Sequence, residues 1–385
     1  MNREKTPLPP GRFCVEYRIE PTALQSAEEI AADVCLEQTV EVPLACVPPS
    51  LVERGFVGRV EQVTPVAPRS AARRVVISYL CELAVTSIPQ FLNTLFGNIS
   101  LKSSIRIDDF HLPHEMRHLF PGPSCGSNGV REILGVNGRP LTCTALKPAG
   151  LDADQLAQLA FEFASGGADI IKDDHGISNQ RTAPFRERIP RVAEAIARAN
   201  AATGTTTLYC PMLNGGCDEL EGELEVCKAC GVRGILAAPA LLGFDSFAHI
   251  ARRREFVLMA HPALSGTFFA NPAHGATPAL VLGKLFRLLG ADISIFPNAG
   301  GRFPFTRQQC DDLCTALRSP LDGSKRALPA PAGGMGLERI GEMVEHYGCD
   351  TVLVIGGGLL HNSHNRVAAT QAFRAAVADT ARQSG

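Results

Sequence analysis

The sequence predicts an α/β protein in two parts: an N-terminal α+β domain of ferredoxin-like type over residues 1–125, and a C-terminal (β/α)8 TIM barrel over residues 126–385. Three observations predict it. Eight short apolar runs recur after about residue 140, separated by helical patterns, and a β, α order of that length over about 240 residues is what eight βα units need. The runs are continuous rather than alternating, as parallel strands covered on both faces require. The pattern before them differs, with an alternating strand and an amphipathic helix that fit a smaller mixed domain. A doubly wound open sheet is the alternative arrangement of the same β, α order.

In chain order, "FCVEYRIEP" alternates as a strand, "TALQSAEEIAADVCLEQT" reads as a helix and "RRVVISYLCEL" as another strand. The segment "HLPHEMRHLFPGPSCGSNG" is rich in Pro, Gly and His and has no period, so it reads as a connection between domains. The barrel strands are "LTCTALK", "ADIIKDD", "TTLYCPM", "VRGILAAPA", "FVLMAH", "ADISIFP", "ALPAPAGG" and "TVLVIGGG". Segments such as "DADQLAQLAFEFASGG" and "TPALVLGKLFRLLGA" supply helices between them.

Composition narrows the function classes. The chain has 385 residues, 45% of them hydrophobic and 20% charged, enough to bury a large core. Its 37 basic and 39 acidic residues form no long run of one sign, which argues against nucleic acid or an anionic membrane as partner and leaves small molecules. The start "MNREKTPLPPG" lacks the apolar core of a signal peptide, and no apolar stretch has the length of a membrane span, so a cytoplasmic protein is expected. The 13 cysteines are odd in number and scattered, which predicts reduced thiols. Cys227 and Cys230 in "CKAC" lack a second half-site and read as helix positions, as do Cys310 and Cys314.

A barrel places its active site at the C-terminal ends of its strands, and polar or glycine residues stand there at nearly every strand. Lys147 closes the first; Lys172, Asp173, Asp174 and His175 close the second; Asn214 follows the third and His261 ends the fifth. Asn298 follows the sixth, Gly333 and Gly334 end the seventh, and Gly356, Gly357 and Gly358 end the eighth. The polar stretch "HNSHN" at 361–365 adds a loop beside the last of these.

These residues carry a resemblance. "ALKPAGL" with "GGADIIKDDHG" resembles the first- and second-strand motifs of the RuBisCO large-subunit superfamily, and "FPGPSCGSNGVREILGVNGRPL" resembles its interdomain connection. "LFGNI" and "CLEQT" are similar to its N-domain motifs, and "PAPAGG" and "VIGGGLLH" to its seventh- and eighth-strand loops. The likeness covers nearly the whole chain. It implies a homodimer, or an oligomer of dimers, whose sites join one barrel to Glu37 and Asn98 of the other copy's N-domain.

The resemblance also implies a metal site. Lys172 matches the lysine that takes up CO2 as a carbamate, and the carbamate and two carboxylates bind Mg2+. Asp174 matches the first carboxylate, but His175 stands where glutamate is usual. Imidazole suits softer ions than Mg2+, so either the metal persists with altered ligation or His175 serves as an acid/base. A Lys/Asp ion-pair cluster without metal is the bland alternative. Lys147 matches the lysine that handles the proton in enolisation, and Ala149 replaces the second lysine of that loop. His261 matches the fifth-strand histidine, with a packed core histidine as the alternative.

Gly333, Gly334, Gly356 and Gly357 match one phosphate site, unless they only make tight turns. The ligands of a second phosphate are replaced by Pro262 and Ala332, Phe296 replaces a histidine, and "FPNAGGRFPF" lacks the lysine that clamps CO2, with Arg302 the nearest cation. The chain therefore resembles a RuBisCO-like protein, type IV, of the branch that does not fix CO2. That implies a lyase or isomerase forming a metal-stabilised enolate from a sugar monophosphate, leaning to decarboxylation or C–C cleavage of a 3-oxo sugar-acid phosphate in apionate-type breakdown. The alternatives are a methionine-salvage enolase or isomerase acting on a methylthio-sugar 1-phosphate, in which glutamate is usual at position 175, and a non-catalytic relative.

Overall fold

The computed structural model describes residues 8–321, 323–334, 336–361 and 365–384. The chain divides into two compact units, one of residues up to Phe120 together with Ser265–Val281, the other of Pro121–Leu264 with Leu282–Gly385.

In the first unit, β1 (Arg12–Ile19), β2 (Arg59–Pro65), β3 (Arg73–Leu80) and β4 (Ile105–His111) form an antiparallel sheet in the order β4-β1-β3-β2. Helix Ala27–Glu37 starts at a capping box in which Ser26 and Glu29 satisfy each other's backbone N–H, and it packs on β2 and β3. Phe13, Tyr17, Tyr79, Phe91 and Phe110 fill the core, where the Tyr17 hydroxyl donates to Leu95 O at 2.9 Å and lies 3.0 Å from the Tyr79 hydroxyl. A division at 125/126 would leave Ser265–Val281 with the barrel. It belongs instead to this unit, because Gly275–Ala276 pairs in parallel with β4 and covers an open sheet edge.

In the second unit the eight apolar runs are eight parallel strands. The eighth (Val352–Val354), first (Leu141–Leu146), second (Ile170–Asp173) and start of the third (Leu208–Cys210) form one ladder. The rest of the third (Met212–Leu213), fourth (Gly234–Ala237), fifth (Val257–Ala260), sixth (Ile293–Pro297) and seventh (Leu328–Ala332) form the other, and the seventh lies beside the eighth. Pro211, which has no N–H for the ladder, divides the third strand. The intervening helices include Ala153–Ser165, Phe185–Thr203, Leu220–Ala229, Arg307–Arg318 and Ile340–Tyr347.

Alternate residues of each strand form one buried core: Leu141 and Cys143, Ile170, Cys210 and Met212, Leu236, Val257 and Met259, Ile293 and Ile295, Leu328 and Ala330, Val352 and Val354. Side chains alternate with period two along a strand, so two residues past this core the same phase reaches Lys172 and His261. The cysteines are all free, and burial pushes the Cys227 thiol well up, which leaves it inert as a ligand or nucleophile. No helix among the described residues is long and apolar enough to cross a membrane.

Candidate active site

The ladder between the first two strands pairs Ala145 with Lys172 and Leu146 with Asp173. One residue further, the Asp174 N–H donates to Leu146 O at 3.2 Å, and the register brings Lys147 beside Asp174. Their side chains meet, with Lys147 Nζ 2.7 Å from Asp174 Oδ2. Burial raises the Asp174 carboxyl, but the Lys147 hydrogen bond, the Gly176 N–H and the Lys147 charge outweigh it and hold the group below its ordinary range.

Lys172 lies inside the barrel at 5% exposure, and its ammonium donates to the carbonyl of Asp173 at 2.9 Å. Burial lowers its pKa, and Lys147 adds to the effect, against the carboxylates nearby. His175 Nδ1 stands 3.5 Å from Asp174 Oδ1, and the His175 ring stacks on His261 with centroids 4.4 Å apart and planes 12° from parallel. Burial pushes both imidazoles down, His261 the further, and the Lys172 charge adds to both. His261 Nδ1 accepts the Ala263 N–H at 3.1 Å, which assigns the ring proton of the neutral form to Nε2. The structure thus brings Lys147, Lys172, Asp174, His175 and His261 to one end of the barrel.

The glycine loops meet the same end. Gly333 and Gly334 have φ of +96° and +81°, a region that favours glycine, and a Cβ on Gly334 would stand 2.6 Å from Arg302 Cγ. Arg302 N–H donates to Gly333 O at 3.0 Å, its guanidinium lies over the Phe303 ring, and its charge acts on His175. A Cβ on Gly356 would lie 3.9 Å from Lys147 Cε, and Gly357 opens a short helix to His361. Residues 362–364 of the polar stretch lie outside the described residues.

Two residues are placed differently from the rest. Asn214 is exposed just past the third strand, in the inward phase. Asn298 is 3% exposed and its amide oxygen accepts the Tyr347 hydroxyl, so this side chain is engaged by the outer helix Ile340–Tyr347. In the first unit Glu37 and Asn98 come together: Asn98 Nδ2 donates to Glu37 Oε1 at 3.1 Å and to Glu41 Oε1 at 2.7 Å. The sequence reading missed Glu41, and it set Asp173 at the mouth of the site, whereas Asp173 belongs to a buried group behind the second strand, where it accepts from Tyr209 and pairs with Arg188. The strand phase is the signal that separates Asp173, facing outward, from Lys172 and Asp174.

A magnesium ion on a lysine carbamate can be tested against these donors. Among the described residues, no three His, Cys, Asp or Glu side chains gather to hold a metal. The further ligand would have to come from Lys172, whose amine burial shifts toward the neutral form that adds CO2. A carbamate there, with Asp174 and His175, would make a set less suited to Mg2+ than to softer ions, because one donor is an imidazole.

Residues 126–300 match the family model of the ribulose bisphosphate carboxylase large chain, catalytic domain. Ribulose bisphosphate carboxylase-like protein 1 of Rhodopseudomonas palustris is 39% identical over 95% of this chain and 98% of its own. The 5-methylthioribulose-1-phosphate isomerase of Rhodospirillum rubrum is 40% identical over 96% of this chain and 97% of its own. The crystal structure of a Rubisco-like protein from Rhodopseudomonas palustris superposes with a TM-score of 0.86 at 36% identity, covering 96% of this chain and 98% of that one. The chain belongs to the RuBisCO large-chain family, and within it to the RuBisCO-like proteins.

Proposed function

We propose that this RuBisCO-like enzyme isomerises a phosphorylated, methylthio-substituted ketopentose by moving a proton next to its ketone, without fixing CO2. The observation that carries the reading is the Lys147–Asp174 contact of 2.7 Å beside the buried Lys172 amine. The isomerase from Rhodospirillum rubrum, similar over nearly the whole of both chains, supports the methylthio-sugar reading over the sugar-acid reading that His175 suggested.

In this reading Lys147 Nζ holds and releases the proton that moves between substrate carbons, and Asp174 fixes the amine and balances its charge. His261, neutral through burial and with Nδ1 occupied, offers Nε2–H as a donor to developing negative charge. Backbone N–H groups of the loops at Gly333–Gly334 and Gly356–Gly357 receive the single phosphate, with Arg302 beside them. Lys172 as a carbamate, Asp174 and His175 would hold a divalent cation, which when bound supplies a Lewis acid for the ketone. We also propose self-association, with Glu37 and Asn98 of a second copy completing each site.

Purified chain with bicarbonate, Mg2+ or Mn2+ and 5-methylthioribulose 1-phosphate should give an isomeric monophosphate by 31P NMR, and no 13C from bicarbonate should enter ribulose bisphosphate. Conversion of a 3-oxo sugar-acid phosphate with release of CO2, and inertness toward the methylthio-sugar, would restore the other reading.

A further inference from the structure

We propose that Arg188, on the helix behind the second strand, is a positioning residue that sets the phase of that strand's end and so aims Lys172 and Asp174. The proposal rests on reading Lys147, Lys172 and Asp174 as the reacting groups.

Arg188 and Asp173 are both 0% exposed, and Arg188 Nε lies 3.3 Å from Asp173 Oδ2. The guanidinium sits on helix Phe185–Thr203, and its Nη1 donates to Ser178 O at 2.5 Å and to Ala183 O at 2.8 Å. One side chain therefore ties the strand's last residue to two points of the irregular loop 174–184. That loop carries Asp174 and His175. Asp173 is held from the other side as well, since Oδ1 accepts the Tyr209 hydroxyl at 2.8 Å and Oδ2 the Met212 N–H at 3.1 Å. The second strand, the loop after it and the third strand are thus locked together where the site begins.

The chemistry of burial argues for a purpose beyond stability. Removing two charges from water is costly, and such pairs are often no better for stability than apolar residues of the same volume. This pair is not even fully satisfied: among the described residues neither Nε nor Nη2 of Arg188 makes a hydrogen bond, so its hold on Asp173 is an ion pair without one. What the pair does secure is orientation. Lys172, Asp173 and Asp174 are consecutive, so a slip of one residue would turn both reacting groups to the helix layer and bring Asp173 into the barrel. Arg188 prevents that by holding Asp173 outward, while the loop bonds keep Asp174 against Lys147.

The test is the double substitution Arg188→Met with Asp173→Asn in the full chain, which removes both buried charges together and leaves an amide whose oxygen accepts the Met212 N–H and whose NH2 donates to the Tyr209 hydroxyl. Thermal melting should stay within about 5 °C of the parent. Turnover of the methylthio-sugar phosphate should fall about 10²-fold with KM little changed, because misplacement of a reacting group by about 1 Å costs that much. A crystal structure of the double variant should show Lys147 Nζ and Asp174 Oδ2 more than about 4 Å apart, beyond ion-pair reach. Should melting collapse, the single variant Arg188→Lys keeps the charge but cannot span Ser178 and Ala183, and its turnover should fall at preserved stability. A variant of parental stability that keeps the Lys147–Asp174 contact and turnover within about twofold overturns the proposal. If the parent itself turns over no methylthio-sugar phosphate, the functional reading fails while the crystallographic distance still decides the role of Arg188.

Discussion

Asp173 and Asp174 are adjacent carboxyls pushed in opposite directions. Burial raises Asp173 despite Arg188 and two hydrogen bonds, whereas Asp174, nearer the solvent, is held low by Lys147. Phase along one strand separates them. A third buried carboxyl, Glu223, at 7% exposure, is raised first by burial and further by the Glu219 charge, against the Gly215 N–H that donates to it. A raised carboxyl pKa means that the folded chain binds the proton more tightly, so this group's stability contribution is complete below the unfolded value near 4.3 and is lost as pH rises through the folded one. Glu223→Gln should therefore stabilise the chain at neutral pH by on the order of 1 kcal/mol. The gain should vanish at about pH 4 in urea unfolding. At this scale the place of Lys147, Lys172, Asp174 and His261 at one end of the barrel was legible because each follows or closes an apolar run. Arg188 was not, because an arginine in "FRERIP" looks like a solvated helix face until the fold buries it.

The strand ends and the loops after them set what each residue can do. The eight apolar runs of the second unit are eight strands, whereas β2 and β4 of the first unit, the division at Pro211 and the pairing of Gly275–Ala276 with β4 needed three-dimensional context. The seventh-strand loop is demanding, since Gly334 combines a φ of +81° with a space already filled by Arg302. Gly334→Ala should cost about 1–2 kcal/mol from the left-handed backbone, with a further loss from moving Arg302, and should raise KM for a phosphorylated substrate. Gly204, with φ +68° and open space around its Cβ position, is the control: Gly204→Ala should show the backbone cost alone and leave KM unchanged. Equal effects at the two sites in urea unfolding and steady-state kinetics would deny the loop its role. Asn298 shows the limit of reading a strand end by composition. It lies one residue out of the inward phase, and Tyr347 takes its amide.

At the scale of the whole molecule, the first unit holds the cluster of Glu37, Glu41 and Asn98, and the second holds the amines, imidazoles and glycine loops. Family membership was legible because motifs occur in order along nearly the whole chain, which no single residue could have shown. The substrate was less legible: His175 pulled the reading toward sugar acids, whereas likeness over the full length of a methylthio-sugar isomerase points the other way. One position alters a ligand set without fixing which sugar the rest of the site accepts. The central claim is proton transfer at carbon, handled by Lys147. Incubating the full chain with 5-methylthioribulose 1-phosphate in D2O, and following the carbons beside the ketone by NMR, tests it most directly. The parent should exchange a proton for deuterium at such a carbon, and Lys147→Ala, folded as judged by its melting, should lose exchange by about 10²-fold or more. Exchange that persists undiminished in Lys147→Ala, or a parent that exchanges nothing, would contradict the account.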